Sequence, residues 1–311
     1  MSQPKVSIII IVYNNYTDTK ECLESLANIT YRNYEVILVD NGSTDGSGEK
    51  LKQEYPQHTY IFNKNNLGFA GGVNSGIQYS MRKNSDYVFL LNNDTIVDKE
   101  FLEPLVSTAE KNPSTGIVGS KIYYYNSPKT VNFAGGKIDF WRGITPHIGS
   151  GELDRGQYEK PIEEDFQDGS AMLIKKEVIN KIGLFDTTYF LYSEEVDFCF
   201  RAQKAGYKIL NVPQSKVWHK ISISVGGCES FTGIYHGIKS RIIFMRKHSQ
   251  LYHWLVFVPY CFFYSFRLTI IWLIKYKWSA EFTTRFRVMV NAFKDGLTCR
   301  LYNCTQSAEG K

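Results

Sequence analysis

Cysteine is scarce in this chain, and the common nucleotide-binding signatures are missing. The six cysteines among 311 residues are scattered and form no CxxC pair, which excludes a small disulfide-stapled protein and favours reduced cytosolic thiols. Neither GxxxxGK[ST] nor GxGxxG occurs, so kinase-like use of ATP and Rossmann dinucleotide binding lose support. Met1 to Lys5 lead directly into an apolar segment, and we expect no cleaved signal sequence.

The composition allows a large core but distributes charge unevenly. The chain is 43% hydrophobic and 22% charged, which excludes disordered and collagen-like classes, and its length suits one large domain with an appendage. Residues 235–300 contain 11 Lys or Arg and two acidic residues, net +9, whereas the remainder contains 25 basic and 29 acidic residues, net −4. This basic C-terminal quarter predicts contact with an anionic partner, either a membrane or a nucleic acid.

Apolar runs alternate with helix-like segments over the first 111 residues. The pattern predicts strands at Val6–Val12, Tyr34–Val39, Thr59–Phe62 and Tyr87–Leu91, with helices at Asp18–Asn28, Glu49–Tyr55, Leu67–Met81 and Asp98–Lys111. Strands that alternate with helices predict βαβ units in a mainly parallel sheet.

The alternation breaks after a strand predicted at Ile117–Tyr125. Residues 126–165 are rich in Gly, Pro and charge and predict a hairpin and a mobile loop. Beyond them we expect strands at Ser170–Ile174, Lys208–Val212 and Lys216–Trp218, and helices at Lys176–Ile182 and Ser193–Ala205.

Polar residues collect where the first four predicted strands end. They are Tyr13 and Asn14, then Asp40 and Asn41, then Asn65–Gly72, then Asn92, Asn93 and Asp94. Any one of them alone is more often a turn residue or a helix cap. Because ligands bind at the carboxyl edge of an open α/β sheet, four such positions together predict a ligand site.

Two of these positions suggest specific chemistry. The Gly-rich run NLGFAGGVNSG, from Asn66 to Gly76, would let the backbone approach a ligand at a helix N-terminus, or else form a tight turn with close helix packing. Asp94 would bring one carboxylate to a divalent cation shared with substrate phosphates, or else cap the following helix.

Acidic residues and a histidine lie in the second half. Glu194, Glu195 and Asp197 open a predicted helix, where acids favour the helix dipole. Three acids so close would also raise one another's pKa, which suits a general base. His219 is a candidate metal ligand, although a lone histidine is more often structural.

Taken in order, these segments resemble glycosyltransferase family 2, whose members have the GT-A nucleotide-binding fold. The resemblance covers about residues 5–225 and is carried by VSIIIIVYNN, YEVILVDNGSTDGS, NNLGFAGGVNSGI, YVFLLNNDT, DGSAMLIKKEV, EEVDFCFRAQKAGYK and VWHK. NLGFAGGVNSGI together with LLNNDT is most similar to a rhamnosyltransferase-like branch. The resemblance implies an α/β fold with a mainly parallel mixed sheet flanked by helices. It implies a catalytic domain over residues 1–225, with a nucleotide half to about 125 and an acceptor half beyond, and a C-terminal helical region over 226–311.

The resemblance also implies a role for each site residue. The nucleotide and sugar would be held by Tyr13, Asn14, Asp40, Asn41, Asn66, Gly68, Asn74, Asn92, Asn93 and Gly169, with Asp40 facing a pyrimidine base and Gly169-Ser170 near the sugar and acceptor. Asp94 would bind Mn²⁺ or Mg²⁺, with His219 as a second metal or diphosphate contact. Glu195 would be the general base and Glu194 is the runner-up. The family motifs DXD and ED read NND and EE here.

The implied function is inverting transfer of a sugar, with rhamnose as a candidate, from a dTDP- or UDP-sugar to a hydroxyl of a glycan or lipid-linked acceptor. We expect this at the inner face of the cell membrane, in cell-surface polysaccharide assembly. The NND and EE departures leave open an inactive sugar-nucleotide-binding partner. A nucleotidyltransferase is a third hypothesis, which the absence of its Gly-rich, Lys/Arg-bearing signature disfavours. A homodimer also stays open.

The C-terminal quarter contains a long apolar segment. Tyr252–Trp278 includes 11 aromatic residues, and Trp254–Ile274 could span a bilayer at about 1.5 Å per residue. Arg267 interrupts it, Pro259 would kink it, and both flanks are basic. We therefore favour an interfacial or re-entrant helix on anionic lipid over a helical bundle buried against the catalytic domain or in a dimer. The segment is too apolar for nucleic acid.

Overall fold

The computed structural model describes residues 3–221 and 229–301. Its first half contains β1 (Val6–Val12), α1 (Tyr16–Leu26), β2 (Tyr34–Asp40), α2 (Ser47–Glu54), β3 (Thr59–Phe62), α3 (Gly68–Arg82), β4 (Tyr87–Asn92), β5 (Thr95–Val97) and α4 (Leu102–Lys111). There follow β6 (Thr115–Tyr124), β7 (Ser127–Phe133), β8 (Ile162–Glu163), β9 (Ala171–Lys175), α5 (Lys176–Ile182), α6 (Glu194–Lys204) and β10 (Lys208–His219). The C-terminal helices are α7 (Phe231–His248), α8 (Trp254–Tyr276) and α9 (Ala280–Thr298), with a 3-10 turn at Leu251–His253.

One mixed sheet forms the centre of the molecule. Its strand order is β3-β2-β1-β4-β9-β6-β10-β5, with β7 paired to β6 and β8 to β10. Strand β1 is parallel to both β2 and β4, and β2 is parallel to β3, whereas β9 is antiparallel to β4 and β6. Apolar runs such as VSIIIIV are buried because helices cover both faces of the sheet, which confirms the predicted α/β class.

The second half departs from the predicted strands at particular places. The two strands predicted at 208–212 and 216–218 are one strand, β10, with a register shift between Val212 and Lys216. Pro213 lies in this interval and has no N–H for the ladder, so the pairing is interrupted while the chain keeps its direction. Strands β5 and β8 have only three and two residues, too few for a periodic pattern to predict them.

Residues 126–165 begin with the predicted hairpin, formed by β6 and β7. The rest of the segment is not an isolated loop, because bridges tie Gly136 to both His147 and Phe166 and tie Asp139 to Ile144. The side chains of Phe133, His147 and Phe166 pack together, with ring centroids 4.9–5.9 Å apart. Through β7 and β8, the segment is also paired to β6 and β10 of the sheet.

The C-terminal helices form a layer against the rest of the molecule. From α7, Ile243 and Phe244 enter the main core, and Phe244 stacks on Phe140 at 5.7 Å. Within the described residues, Leu251–Tyr276 is long and apolar enough to cross a membrane by length and composition, and 17% of its most apolar window is buried. The boundary predicted at residues 225 and 226 falls outside the described residues, as does Cys304.

Candidate active site

The sheet brings the predicted polar positions to one edge. Val12 at the end of β1 pairs with Asp40 at the end of β2, and Ile11 pairs with Asn92 at the end of β4. At the other side of the sheet, His219 ends β10 and pairs with Thr95 of β5, one residue after Asp94. The parallel pairing of β1 with β2 and β4, together with the antiparallel pairing of β10 with β5, therefore gathers side chains that are far apart in sequence.

Asp40 is a buried carboxylate with one oxygen unsatisfied. Its Oδ1 accepts the backbone N–H groups of Gly42 and Ser43 at 3.0 and 2.8 Å. Its Oδ2 is buried and has no hydrogen-bond partner among the described residues. A Cβ added at Gly48 would lie 2.1 Å from Oδ2, so only glycine lets α2 begin so close to this carboxylate. A buried oxygen left without a donor is suited to a ligand N–H.

Tyr13 and Asn14 form the turn that leaves β1. The Tyr13 side chain is 36% exposed at the sheet edge. Asn14 has a left-handed backbone with φ of 50°, its N–H donates to Ser43 Oγ at 3.0 Å, and its Oδ1 accepts the N–H of Thr44 at 2.8 Å. Asn14 therefore fixes the first loop to the second, and Tyr13 is the exposed group of the pair.

Asn41 holds the Gly-rich loop in place. Its Nδ2 donates to Asn66 Oδ1 at 3.1 Å and to the Gly68 carbonyl at 3.0 Å, and its Oδ1 accepts from Asn63 and from the Leu67 N–H. Since this amide is buried and used on both sides, it orients the loop; direct contact of Asn41 with a donor stays a prediction. The loop in turn presents the N-terminus of α3.

Gly68 and Asn66 explain why this loop is Gly-rich. Gly68 has φ of +72°, and a Cβ there would lie 2.3 Å from the Phe190 carbonyl oxygen. Asn66 Oδ1 accepts the Gly68 N–H at 2.9 Å and closes the turn. The close approach of residue 190 connects the loop to the chain that leads into α6.

Two further predicted donor contacts lie inside the protein. Asn74 exchanges two hydrogen bonds with the backbone of Phe185, at 2.8 and 2.9 Å. Asn93 donates to Thr19 Oγ1 at 2.9 Å. Both amides are buried, so in this structure they support α3 and the β4–β5 turn, and their contact with a donor remains untested.

Asp94 and His219 are neighbours across the sheet. Asp94 Oδ1 lies 3.0 Å from His219 Nε2, and Asn92 Nδ2 lies 3.4 Å from the same nitrogen. Burial is the largest single influence on the pKa of His219 and lowers it. The hydrogen bond with Asp94 and the charges of Asp94 and Asp168 together outweigh burial, so the pKa is raised. The strand pairing thus joins two of the predicted residues, 125 positions apart, in one polar pair.

Glu195 and Glu194 occupy different environments at the start of α6. Glu194 is buried, its Oε2 has no partner among the described residues, and burial followed by the charge of Glu195 raises its pKa well above the usual range. Glu195 is partly exposed, and burial followed by the charge of Asp168 raises its pKa to about 7. Its Cβ lies 3.6 Å from the position of a Cβ added at Gly169, which places the predicted Gly169 beside the predicted base.

Asp197 does not belong to this pair, and the prediction that three acids raise one another's pKa is wrong for it. Although Asp197 is buried, hydrogen bonding with His248 and the charges of Arg201 and Lys247 hold its pKa well below the usual range. Its oxygens lie 2.7 Å from Arg201 and His248 and 2.6 Å from Lys247. Arg201, Lys247 and His248 replace the water that Asp197 loses, so Asp197 has a structural role.

Asp168 is not among the residues that the sequence predicts for the site, yet its carboxylate interacts electrostatically with two residues that are. Its Oδ1 accepts the Ser170 N–H at 2.8 Å, and its charge raises the pKa values of both Glu195 and His219. Ser170 also accepts the N–H of Asn92 through its carbonyl at 3.1 Å. The signal was available as the acid that directly precedes Gly169 in DGS, immediately before a predicted strand.

Comparison with known proteins identifies the family. A family model described as "Glycosyl transferase family 2" matches residues 7–183, more than half of the chain. This chain belongs to glycosyltransferase family 2. It is a glycosyltransferase, and the predicted resemblance is confirmed.

Two curated relatives match most of this glycosyltransferase. It is 28% identical over 264 residues to the N-acetylglucosaminyl-diphospho-decaprenol L-rhamnosyltransferase of Mycobacterium tuberculosis, covering 78% of this chain and 84% of that protein. It is 27% identical over 251 residues to the low-salt glycan biosynthesis hexosyltransferase Agl10 of Haloferax volcanii, covering 76% and 74%. These matches agree with the rhamnosyltransferase-like resemblance of the sequence motifs.

A solved structure shares the fold of this glycosyltransferase. The mannosyltransferase PcManGT from Pyrobaculum calidifontis, in complex with GDP-Man and Mn²⁺, superposes with a TM-score of 0.57 at 13% identity. The match covers 98% of this chain and 78% of that chain. At this identity the likeness establishes the GT-A fold alone.

The donor atoms of the glycosyltransferase fit a divalent cation held partly by substrate. Asp94 offers carboxylate oxygen and His219 offers imidazole nitrogen, both of which bind such ions. Asp94 and His219 would hold such an ion together, in place of the hydrogen bond that joins them at 3.0 Å. Within residues 3–221 and 229–301, no group of three or more His, Cys, Asp or Glu could hold an ion. The remaining ligands would come from a diphosphate and water.

Proposed function

We propose that this glycosyltransferase moves a sugar from a pyrimidine nucleotide sugar, dTDP- or UDP-linked, to a hydroxyl of a lipid-linked glycan, with inversion at the anomeric carbon. The setting would be cell-surface polysaccharide assembly at the inner face of the membrane. The observation that carries the proposal is the position of Glu195, which is partly exposed at the start of α6 with its Cβ 3.6 Å from the position of a Cβ added at Gly169. Burial and the charge of Asp168 raise its pKa to about 7. A carboxylate poised near neutral pH is suited to general-base catalysis.

The chemistry would be a single displacement. Glu195 would accept the proton of the acceptor hydroxyl while the oxygen of that hydroxyl forms a bond to the anomeric carbon. The bond from that carbon to the diphosphate oxygen would break, and its electron pair would leave with the nucleoside diphosphate. One displacement with one base inverts the carbon. A divalent cation on Asp94 and His219 would offset the charge that develops on the leaving diphosphate.

Other residues would position the donor. The unsatisfied Oδ2 of Asp40 supports a hydrogen bond from a ring N–H, which uracil and thymine carry. The exposed ring of Tyr13 lies in the adjacent loop and would cover the base. The loop held by Asn41 leads into α3, so Asn41 would fix the position of this loop beside the donor.

The acceptor class rests on the relatives. The Mycobacterium tuberculosis relative is named for a diphospho-decaprenol-linked acceptor and for rhamnose transfer. Rhamnose from a dTDP donor is accordingly the first sugar to test, and a lipid diphosphate carrying N-acetylglucosamine is the first acceptor. The hexosyltransferase relative makes other hexoses the second set of donors.

A thermal-shift screen followed by a transfer assay tests this proposal. Purified protein is heated with Mn²⁺ or Mg²⁺ and with UDP, dTDP or GDP, because selective binding raises the melting temperature by mass action. We expect a metal-dependent shift with a pyrimidine diphosphate and a smaller one with GDP. NMR of the transfer product then reports the anomeric configuration. Retained configuration would overturn the single displacement, and the absence of any nucleotide-dependent shift would overturn the donor site.

A further inference from the structure

Helix α8 is apolar on two opposite faces. One face carries Phe257, Cys261 and Trp272 and packs against α7 and α9. We call the opposite side the α8 face; its residues are between 41% and 77% exposed and are Leu255, Phe262, Phe263, Phe266, Ile270 and Ile274. A helix on the surface of a soluble protein usually presents polar residues there. A continuous apolar stripe about 30 Å long, at 1.5 Å per residue, indicates a partner that excludes water.

Cations border this face. Arg267, Lys275, Lys277 and Arg287 are exposed on α8, after it, and on α9. Three acids lie in this region: Glu281 binds Arg285 at 2.9 Å, Asp295 accepts the hydroxyl of Tyr235, and the exposed Glu229 lies 3.6 Å from Lys275. One exposed acid against four exposed cations leaves the net charge positive. The exposed rim of the α8 face is therefore cationic, which complements an anionic surface.

The basic excess predicted for this quarter is smaller at the surface than in the sequence. Arg285 is buried among Phe231, Trp272 and Tyr276, and its guanidinium donates to the Glu229 carbonyl at 2.7 Å. Arg246 donates to two backbone carbonyls near the end of α9. Arg285 and Arg246 therefore stabilise the helical layer. The exposed cations that border the α8 face remain available to an anion.

Aromatic side chains mark the two ends of the face. Tyr252 precedes α8 and Trp278 follows it, and they are 53% and 83% exposed. Tyrosine and tryptophan favour the boundary between hydrocarbon and water, because each has an apolar ring and a polar group.

We propose that the α8 face binds an anionic lipid bilayer with the helix lying along the membrane plane. The proposal rests on the proposed function, because it would bring the site to acceptors held in the same membrane. A second copy of the chain fits less well, since pairing two such faces would bring their Arg267 and Lys275 rims together. A lipid surface instead supplies hydrocarbon for the stripe and phosphate for the rim.

The packing of α7 and α9 favours a helix in the plane over a span. Phe257 near one end of α8 and Trp272 near the other both contact the layer, so α7 and α9 lie along most of its length. A span would carry the exposed Arg287 and Lys294 of α9 into hydrocarbon together with Arg267. In the plane, these side chains stay at the headgroups.

Sedimentation of the full chain with lipid vesicles tests the surface. One set of vesicles is phosphatidylcholine, and the other contains phosphatidylglycerol as the anionic lipid. We expect binding to the anionic set that weakens as salt increases. The double variant Phe262→Glu, Phe266→Glu should bind about tenfold more weakly or worse, since it removes buried apolar area and adds repulsive charge. A matched control, Leu153→Glu with Ile162→Glu, alters two exposed apolar residues elsewhere and should bind like the unsubstituted chain.

A charge variant and an extraction separate the parts of the proposal. Lys275→Gln with Lys277→Gln should reduce the preference for anionic vesicles. Alkaline carbonate should release the protein from cell membranes, whereas resistance to carbonate would overturn the in-plane orientation. Equal vesicle binding by the Phe262/Phe266 variant would overturn the surface itself. A dimer in solution that this variant dissociates would assign the face to a second copy instead.

Nucleotide release keeps the two proposals distinguishable. Donor hydrolysis is measured without vesicles for the original chain and the Phe262/Phe266 variant, whose substitutions are remote from the candidate site. Hydrolysis by both, without vesicle binding by the original chain, would leave the proposed function standing and remove the docking surface. Vesicle binding without donor hydrolysis or a nucleotide-dependent thermal shift would leave the docking surface standing and remove the proposed function.

Discussion

Two adjacent glutamates with the same side chain have different surroundings at the start of α6. Glu194 is buried with one oxygen unpaired, whereas Glu195 is partly exposed beside Gly169. A buried acid with little access to solvent cannot easily take a proton from a substrate hydroxyl. A neighbour with a pKa of about 7 can, so the proposed roles of the two residues follow from position rather than from residue type.

Substituting each glutamate with glutamine tests that assignment. We expect Glu195→Gln to lower kcat about 100-fold to 10,000-fold, the usual contribution of a general base, with little change in nucleotide binding. Glu194→Gln is the matched control and should lower kcat much less, because that side chain is buried and has little access to a substrate. A larger loss for Glu194→Gln would transfer the role of base to Glu194. Initial rates at saturating donor measure both.

The pKa of Glu195 also predicts a pH dependence of activity. Burial and the charge of Asp168 raise this pKa to about 7, so the base form is present above that value. The kcat should therefore rise with pH through about 7, and the rise should be absent from the residual rate of Glu195→Gln. A flat profile between pH 6 and 8 in the original chain would contradict a base with this pKa.

The same shift has the opposite sign for stability. A carboxyl group whose pKa is raised from 4.5 to about 7 binds its proton more tightly in the folded chain, so folding loses stability as pH rises through this interval. Glu195→Gln should melt higher than the original chain at pH 8 and about equally at pH 4.5. A higher melting temperature at pH 4.5 alone would contradict this linkage.

At the scale of elements, α6 is fixed to α7 by a buried ion cluster. Asp197 of α6 contacts Arg201 of its own helix and Lys247 and His248 of α7, and Lys247 also contacts Asp186 at 2.7 Å. Since Glu195 lies two residues before Asp197, the cluster also sets the position of the proposed base.

Removing one member of this cluster should be costly. Lys247→Met should lower the free energy of unfolding by about 3 kcal/mol, because it leaves the buried Asp186 without its cation and leaves Asp197 with Arg201 but without Lys247. The pair Lys208–Glu163 is exposed at 2.8 Å, so Lys208→Met is a matched control expected to cost less than about 1 kcal/mol. Chemical denaturation measures both. Equal losses would mean that the cluster does not fix α6.

At the scale of the whole molecule, α7 joins the catalytic body and α8 faces outward. Ile243 and Phe244 are part of the main core, whereas α8 contacts α7 and α9 on one side only. We therefore propose that the structural division follows α7, later in the chain than the predicted boundary at residue 225.

Truncation tests where the catalytic body ends. A chain ending at Ile221 loses two core side chains, worth about 1.5–3 kcal/mol each, and leaves Asp197 without its α7 partners. It should be insoluble or melt well below the full chain. A chain ending after α7, with Met245 changed to a polar residue to shield the newly exposed face, should keep the nucleotide-dependent thermal shift. A stable, nucleotide-binding chain ending at Ile221 would support the original boundary.

The alternating elements and the order of the motifs could be predicted from the amino-acid sequence alone. Long runs such as VSIIIIV can be buried only between two helical layers, so local pattern predicts a parallel sheet. The Gly-rich segment and NND could be placed at strand ends for the same reason. The local pattern did not predict that β10 continues past its proline, nor that the three residues of β5 form a strand. Both depend on pairing with neighbouring strands rather than on their own residues.

Which polar groups come into contact depends on how the strands and helices pack, and local sequence does not predict it. Asp94 and His219 form one pair because β5 and β10 are adjacent. Asp197 differs from Glu195 in its surroundings because Lys247 and His248 of α7 contact Asp197. The charge of Asp168 raises the pKa of Glu195. The strength of this electrostatic interaction depends on the distance between the two groups in space and not on their separation along the chain. The same holds for α8, whose composition permits a span, an interface or a core helix. Its packing against α7 and α9 is what leaves one apolar face exposed.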